Sequence, residues 1–166
     1  PACPTPAATP VDGTSDSITL WWPAVDSATS YKVFVGAATA PAATPTINTW
    51  TYSGGTPNSA MSFTVVGSNT AGDSVGCSAV SGKLPPGVPT LAAPGVSGTA
   101  VSGSWSGGTG AALWNVEIEE LVRGLSYSRS NGTNTVTYDP GSATGLGSQY
   151  RFRAQAISAT GVLGGW

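Results

Sequence analysis

Glu117, Glu119 and Glu120 are the side chains with the first claim to chemistry, because paired carboxylates divide the acid and base roles in glycoside hydrolysis. Their spacing argues otherwise. Trp114, Val116 and Ile118 alternate with Asn115, Glu117 and Glu119, the period of a strand with one buried face. Glu117 and Glu119 then point outward from a flat sheet. Other chemistries lack parts as well. The 166 residues include no histidine, so Ser-His-Asp and Cys-His nucleophiles have no base, and a zinc site lacks its usual ligands. The two cysteines, Cys3 and Cys77, form no C-x-x-C pair. They read as an isolated disulfide and point to an oxidising compartment. Gly107-Gly-Thr-Gly110 has no following Lys-Ser/Thr and no helix, so it is a loop and not a phosphate cradle. Asn131-Gly132-Thr133 fits a glycosylation acceptor, but Asn-Gly is also the strongest short hairpin signal, and turn chemistry accounts for it. No catalytic residue, cofactor or metal site is expected, and the chain is read as a non-enzyme.

Composition narrows the partners. Charged residues are only 8% of the chain, with six Lys and Arg together and a net charge of −2. That leaves no basic surface to neutralise phosphates, so nucleic-acid binding is not expected. No apolar run approaches a membrane span. Disorder is also excluded, since 40% hydrophobic content with six Trp and five Tyr can build cores. The chain opens on Pro1 with no signal-peptide pattern, which reads as a processed product or a portion of something longer.

The elements that must position these residues are strands. Ile18, Leu20 and Trp22 alternate with Thr19 and Trp21, and Tyr31, Val33 and Val35 alternate with Lys32 and Phe34. Met61, Phe63 and Val65 do the same with Ser62 and Thr64. Gly, Pro, Asn and Asp clusters punctuate these runs. The fold class is all-β.

An internal repeat sets the domain count. Ser17-Ile-Thr-Leu-Trp-Trp22, Ser30-Tyr-Lys-Val-Phe-Val35 and Met61-Ser-Phe-Thr-Val-Val-Gly-Ser-Asn-Thr-Ala-Gly72 form the first copy. Ala100-Val-Ser-Gly-Ser-Trp105, Leu113-Trp-Asn-Val-Glu-Ile118 and Tyr150-Arg-Phe-Arg-Ala-Gln-Ala-Ile-Ser-Ala-Thr-Gly161 form the second. The step from strand Trp to the next strand's aromatic is the same in both, Trp22 to Tyr31 and Trp105 to Trp114. The expected division is residues 1–84, a Pro-rich semi-rigid linker at 85–89, and residues 90–166.

At these residues the chain resembles tandem fibronectin type III domains of bacterial or phage type. That family carries a Trp on the second strand, Tyr-x-Val on the third, and Tyr-x-Phe-x-Val-x-Ala-x-Asn-x-x-Gly over the sixth strand and its turn. The departures are Met61 at the tyrosine-corner position that Tyr150 keeps, Trp114 in place of the third-strand Tyr, and Ser158 where the first copy has Asn69. The resemblance implies two tandem immunoglobulin-like β-sandwiches, with inward residues filling the space between sheets ~10 Å apart. In the first copy these are Ile18, Leu20, Trp22, Tyr31, Val33, Val35, Trp50, Tyr52, Met61, Phe63 and Val65. In the second they are Val101, Trp105, Trp114, Val116, Ile118, Val136, Tyr138, Tyr150, Phe152, Ala154 and Ala156.

The resemblance also implies pairings. The chain start and the beginning of the seventh strand share one pole of the sandwich, which sets Cys3 beside Cys77. The third and sixth strands are antiparallel neighbours, which sets Glu117 and Glu119 near Arg151 and Arg153 as a cross-strand charge ladder. Five residues follow Gly161, too few for the family's seventh strand. Either the chain continues in a longer polypeptide or another chain supplies the strand by β-augmentation.

Three apolar residues are candidates for an interface. Trp22 takes the inward position, so Trp21 points away from the core, and Phe34 and Val66 do so on the opposite sheet. The expected function is a structural or adhesive module of an extracellular or virion-surface assembly, such as a phage tail or head appendage or a surface fibre. Its partners are protein subunits, including copies of itself, or a cell-surface polysaccharide. The alternative is an accessory spacer or carbohydrate-contacting module of a secreted polysaccharide-degrading enzyme.

Overall fold

Residues 1–141 and 148–166 are described in the computed structural model of the chain. They form two compact units, one made of Pro1–Val11 with Asp16–Leu84 and the other of Asp12–Ser15 with Pro85–Trp166. Every regular element among the described residues is a strand.

The first unit contains β1 (Ala7–Pro10), β2 (Ile18–Trp21), β3 (Ser30–Val35), β4 (Thr49–Tyr52), β5 (Ala60–Asn69), β6 (Gly72–Asp73) and β7 (Ala79–Lys83). One sheet has the order β1-β2-β4; in the other, β5 pairs with β3 on one side and with β6 and β7 on the other. Ile18, Leu20 and Trp22 meet Tyr31, Val33, Phe63 and Val65 between the sheets, all buried, with Leu84 joining them. Val35, Trp50, Tyr52 and Met61 are half-buried at the rim of this core.

The second unit contains β8 (Pro89–Leu91), β9 (Gly95–Ser97), β10 (Ala100–Gly107), β11 (Leu113–Glu120), β12 (Leu125–Asn131), β13 (Thr135–Tyr138) and β14 (Tyr150–Ile157). β10 pairs with β13 and with both β8 and β9, while β11 lies between β12 and β14. The expected linker residue Pro89 is thus the first residue of β8, paired with Gly107. Proline is tolerated there because the start of an edge strand can spare its missing N–H.

The two registers superpose. Tyr31, Val33 and Val35 face Gly67, Val65 and Phe63; Trp114, Val116 and Ile118 face Ala156, Ala154 and Phe152. Each strand Trp is tied to an asparagine by a reciprocal pair. The Trp22 N–H donates to the Asn48 carbonyl at 3.1 Å, and Asn48 Nδ2 returns a bond to the Trp22 carbonyl at 2.8 Å. Trp105 and Asn134 repeat this, with Asn134 Nδ2 donating at 3.1 Å. Each Trp also meets the next strand's aromatic edge-on, Trp22 against Tyr31 and Trp105 against Trp114, with centroids 5.2 and 5.6 Å apart.

The third residue after each strand Trp compensates for the size of that aromatic. In the first unit Val25 sits there, and its N–H donates to the Tyr31 hydroxyl at 3.1 Å. In the second it is Gly108, at φ +66°, and a Cβ built on it would lie 2.3 Å from the outer ring of Trp114. The larger indole occupies the space that a side chain holds in the other copy.

The Asn-Gly signal does not form a hairpin. β12 pairs with β11 and β13 with β10, so Asn131-Gly132-Thr133 crosses from one sheet to the other. Asn131 supports that crossing by donating to the Thr135 carbonyl and accepting from the Thr133 hydroxyl. A side chain bonding to nearby backbone stabilises a crossing as readily as a hairpin.

Candidate functional site

The outer face of β11 and β14 carries the charges. Glu117 stands directly opposite Arg153, and Glu119 opposite Arg151. Arg153 reaches Glu117 Oε2 at 2.6 Å, and Arg151 pairs with Glu119. Glu117 also accepts from the Ser126 hydroxyl of β12 at 2.8 Å. The Ser126 bond, followed by the Arg153 guanidinium, holds the Glu117 carboxyl below the usual carboxylate range. A carboxylate committed in this way is a poor proton donor near neutrality.

Glu120 continues the inward series of Trp114, Val116 and Ile118, and its side chain is 1% exposed. Arg123 Nε donates to it at 2.6 Å and Ser148 Oγ at 3.0 Å, so the buried charge is compensated. Nearby, Tyr127 and Tyr138 pack at 4.7 Å and Tyr138 and Tyr150 at 6.1 Å. Hydrogen bonding of the Tyr138 hydroxyl to Tyr127, with burial adding to it, pushes Tyr138 up to about 12. Tyr127 and Arg123 belong to a strand and turn whose alternation is too polar to mark them as core. Their partners, Glu120 three residues before Arg123 and Tyr138 on the other sheet, show their roles only in the folded chain.

In the first unit, Cys3 and Cys77 are joined as a disulfide, with Cα atoms 5.2 Å apart. Ser74 Oγ accepts from the Gly67 N–H at 2.9 Å and donates to Cys77 Sγ at 3.1 Å. On the outer face of β3 and β5, Lys32 Nζ pairs with Asp73 at 2.7 Å. The Lys32 bond and then the Ser68 hydroxyl lower the Asp73 carboxyl below its ordinary range. Phe34 and Val66 lie diagonally on that face, opposite Thr64 and Lys32, and both are half-buried.

Trp21 is different: it is 54% exposed. It lies between Ala7 and Thr49 on the outer face of β1, β2 and β4. The adjacent row on this face is Thr9, Thr19 and Thr51, with the hydroxyls of Thr19 and Thr51 2.9 Å apart. An indole open to water beside a hydroxyl-bearing flat sheet can stack on a ring or anchor a partner. Among the described residues no group of three His, Cys, Asp or Glu is arranged to hold a metal ion. No helix there is long and apolar enough to cross a membrane.

Both units are β-sandwiches of fibronectin type III likeness, and fibronectin type III proteins are among the solved structures similar to the chain. A two-domain segment of chicken tenascin shares 12% identity, covering 98% of this chain and 94% of that one with a TM-score of 0.48. A protein described as FN3tt shares 17% over 51% of this chain and 95% of its own, also at 0.48. A family 28 exopolygalacturonase of Yersinia enterocolitica shares 17% over 51% of this chain and 20% of its own, at 0.43. No protein-family description and no curated protein matches the chain.

Proposed function

We infer that the chain is a non-catalytic structural or adhesive module of an extracellular or virion-surface assembly, such as a phage tail or head appendage or a surface fibre. The observation that carries this reading is Trp21, a large aromatic left 54% exposed on a flat sheet face where its burial would strengthen an interface. The carboxylates Glu117, Glu119 and Glu120 are held by Arg153, Arg151 and Arg123, which supports the non-catalytic part. The disulfide supports a compartment outside the cytoplasm. The test is the particle mass of the native protein by light scattering, with Trp21→Ala alongside. Association that Trp21→Ala weakens supports the reading, and a monomer indifferent to the substitution overturns it.

The hydroxyls of Thr19 and Thr51 beside Trp21 favour a second reading, an accessory carbohydrate-contacting module of a secreted polysaccharide-degrading enzyme. Retardation of the protein in polysaccharide-containing gels, lost in Trp21→Ala, distinguishes it.

A further inference from the structure

The two units finish the far side of their third strand differently. In the first unit the chain's own return closes that side of β3. The Ala42 N–H donates to the Val33 carbonyl at 2.7 Å, and the Val33 and Tyr31 N–H groups donate to the Ala43 and Pro45 carbonyls at 2.9 and 2.8 Å. Pro41 and Pro45 flank this return and have no N–H to offer a further strand. In the second unit a complete strand takes the far side of β11. β12 pairs with it from Leu125 to Asn131, seven residues without a bulge. The outer edge of β12 pairs with no strand and makes no other backbone bond among the described residues. The strand that follows, β13, belongs to the opposite sheet.

β12 lacks the devices that keep a sheet edge solitary, such as proline, a bulge or a row of charges. Leu125–Ser130 are all exposed. The strand's one charge is Arg129, which has no ion pair among the described residues. Leu125, Tyr127, Arg129 and Asn131 share the side of Val116 and Ile118, while Ser126, Ser128 and Ser130 share the side of Glu117. This edge is complementary to itself. Antiparallel pairing of two copies about a two-fold axis at Ser128 matches every residue of the strand and keeps the faces aligned. It sets Tyr127 opposite Arg129 of the copy at two symmetric places, ring against cation, and Ser126 opposite Ser130. Like charges meet nowhere. An axis at Arg129 would oppose the two arginines, and any axis other than Ser128 pairs fewer residues.

We propose that the outer edge of β12 is an interface for a second copy of this chain, joined in the register centred on Ser128. The contact fuses the β12-β11-β14 sheets of the two copies into one. It rests on the reading of the chain as an assembly module and names the partner. Because the same edge serves both sides, the contact closes as a dimer. An edge of this length makes a small interface, and the dissociation constant is expected at ~10–500 µM.

The test is sedimentation equilibrium of the full chain up to about 1 mM, with amide hydrogen exchange at the same concentrations. The expected result is a monomer–dimer equilibrium in which the β12 amides facing away from β11 gain protection as concentration rises. Ser128→Lys and Ser128→Glu each oppose like charges at the axis and should weaken the dimer about two- to fivefold. An equal mixture of the two should form a heterodimer at least as tight as wild type. Arg129→Ala removes both ring contacts and should weaken association about fivefold or more. Ser128 stands opposite Glu117 on β11, so exchange at Val116 and Ile118 checks that each variant keeps its sheet. A monomer throughout, protection confined to other amides, or a mixture no tighter than either variant alone overturns the proposal. Association weakened by Trp21→Ala but not by Ser128→Lys removes the β12 contact and leaves the assembly reading. A dimer weakened by Ser128→Lys but not by Trp21→Ala keeps the contact and removes Trp21 from that reading.

Discussion

Gly108→Ala offers a sharp test of how the second core is built. Gly108 and Gly124 share φ +66°, but nothing lies within 4 Å of a Cβ on Gly124, whereas a Cβ on Gly108 meets Trp114 Cη2 at 2.3 Å and Cζ3 at 2.7 Å. The left-handed conformation costs a side chain ~1–2 kcal/mol, and both substitutions incur it. Only Gly108→Ala also forces a rigid, buried indole to move, adding ~1–3 kcal/mol of overpacking. Gly124→Ala should therefore destabilise the unit by about 1–2 kcal/mol and Gly108→Ala by about 2–5. The first unit, with Val25 beside Tyr31, suggests the remedy. Trp114→Tyr removes the colliding ring atoms, so Gly108→Ala/Trp114→Tyr should lose at least about 1 kcal/mol less than the sum of the single changes. Two units need not unfold together, so the assay is a urea titration of the intact chain read at the amides of Val116 and Ile118. Equal losses for the two glycine variants, or strict additivity in the double variant, would refute the reasoning.

The remaining predictions concern the cross-link and the charges. Cys77→Ser opens a loop of 74 residues' separation, worth ~4 kcal/mol in the chain-entropy account; calorimetry should show the first unit melting earlier and the second unchanged. Glu117→Gln should cost at most about 1 kcal/mol near neutrality. Because the folded Glu117 value lies below its ordinary 4.5, its stabilisation is present above that value and disappears as the pH falls through the folded one. Wild type and Glu117→Gln should therefore converge in acid, and a gap constant with pH in parallel denaturation series would contradict this. Arg123→Ala leaves the buried Glu120 with, among the described residues, its Ser148 bond alone and should cost about 1–3 kcal/mol, the partly exposed arginine reducing the figure for a fully buried pair; Glu120→Gln in the same background should recover part of it.

The sequence alone determined an all-β chain and the buried face of its strands, and the reason is local. Side chains on a strand alternate faces with period 2, so Ile18, Leu20 and Trp22, or Trp114, Val116 and Ile118, declare which side is buried before any partner is known. The Trp-to-aromatic spacing then showed that the pattern occurs twice. Resemblance supplied the neighbouring strands, and with them the approach of Glu117 to Arg153. Other features depended on contacts that exist only in the folded chain. Glu120 lies on the inward side by alternation, yet a carboxylate belongs there only once Arg123 and Ser148 arrive to compensate it. Asn48 and Asn134 are ordinary loop residues until the sheets bring them to Trp22 and Trp105. Asn131-Gly132 encodes a change of direction, but which sheet receives the next strand is decided by where β13 buries Val136. Gly108 reads as one more loop glycine; its necessity comes from the Trp114 ring lying over it.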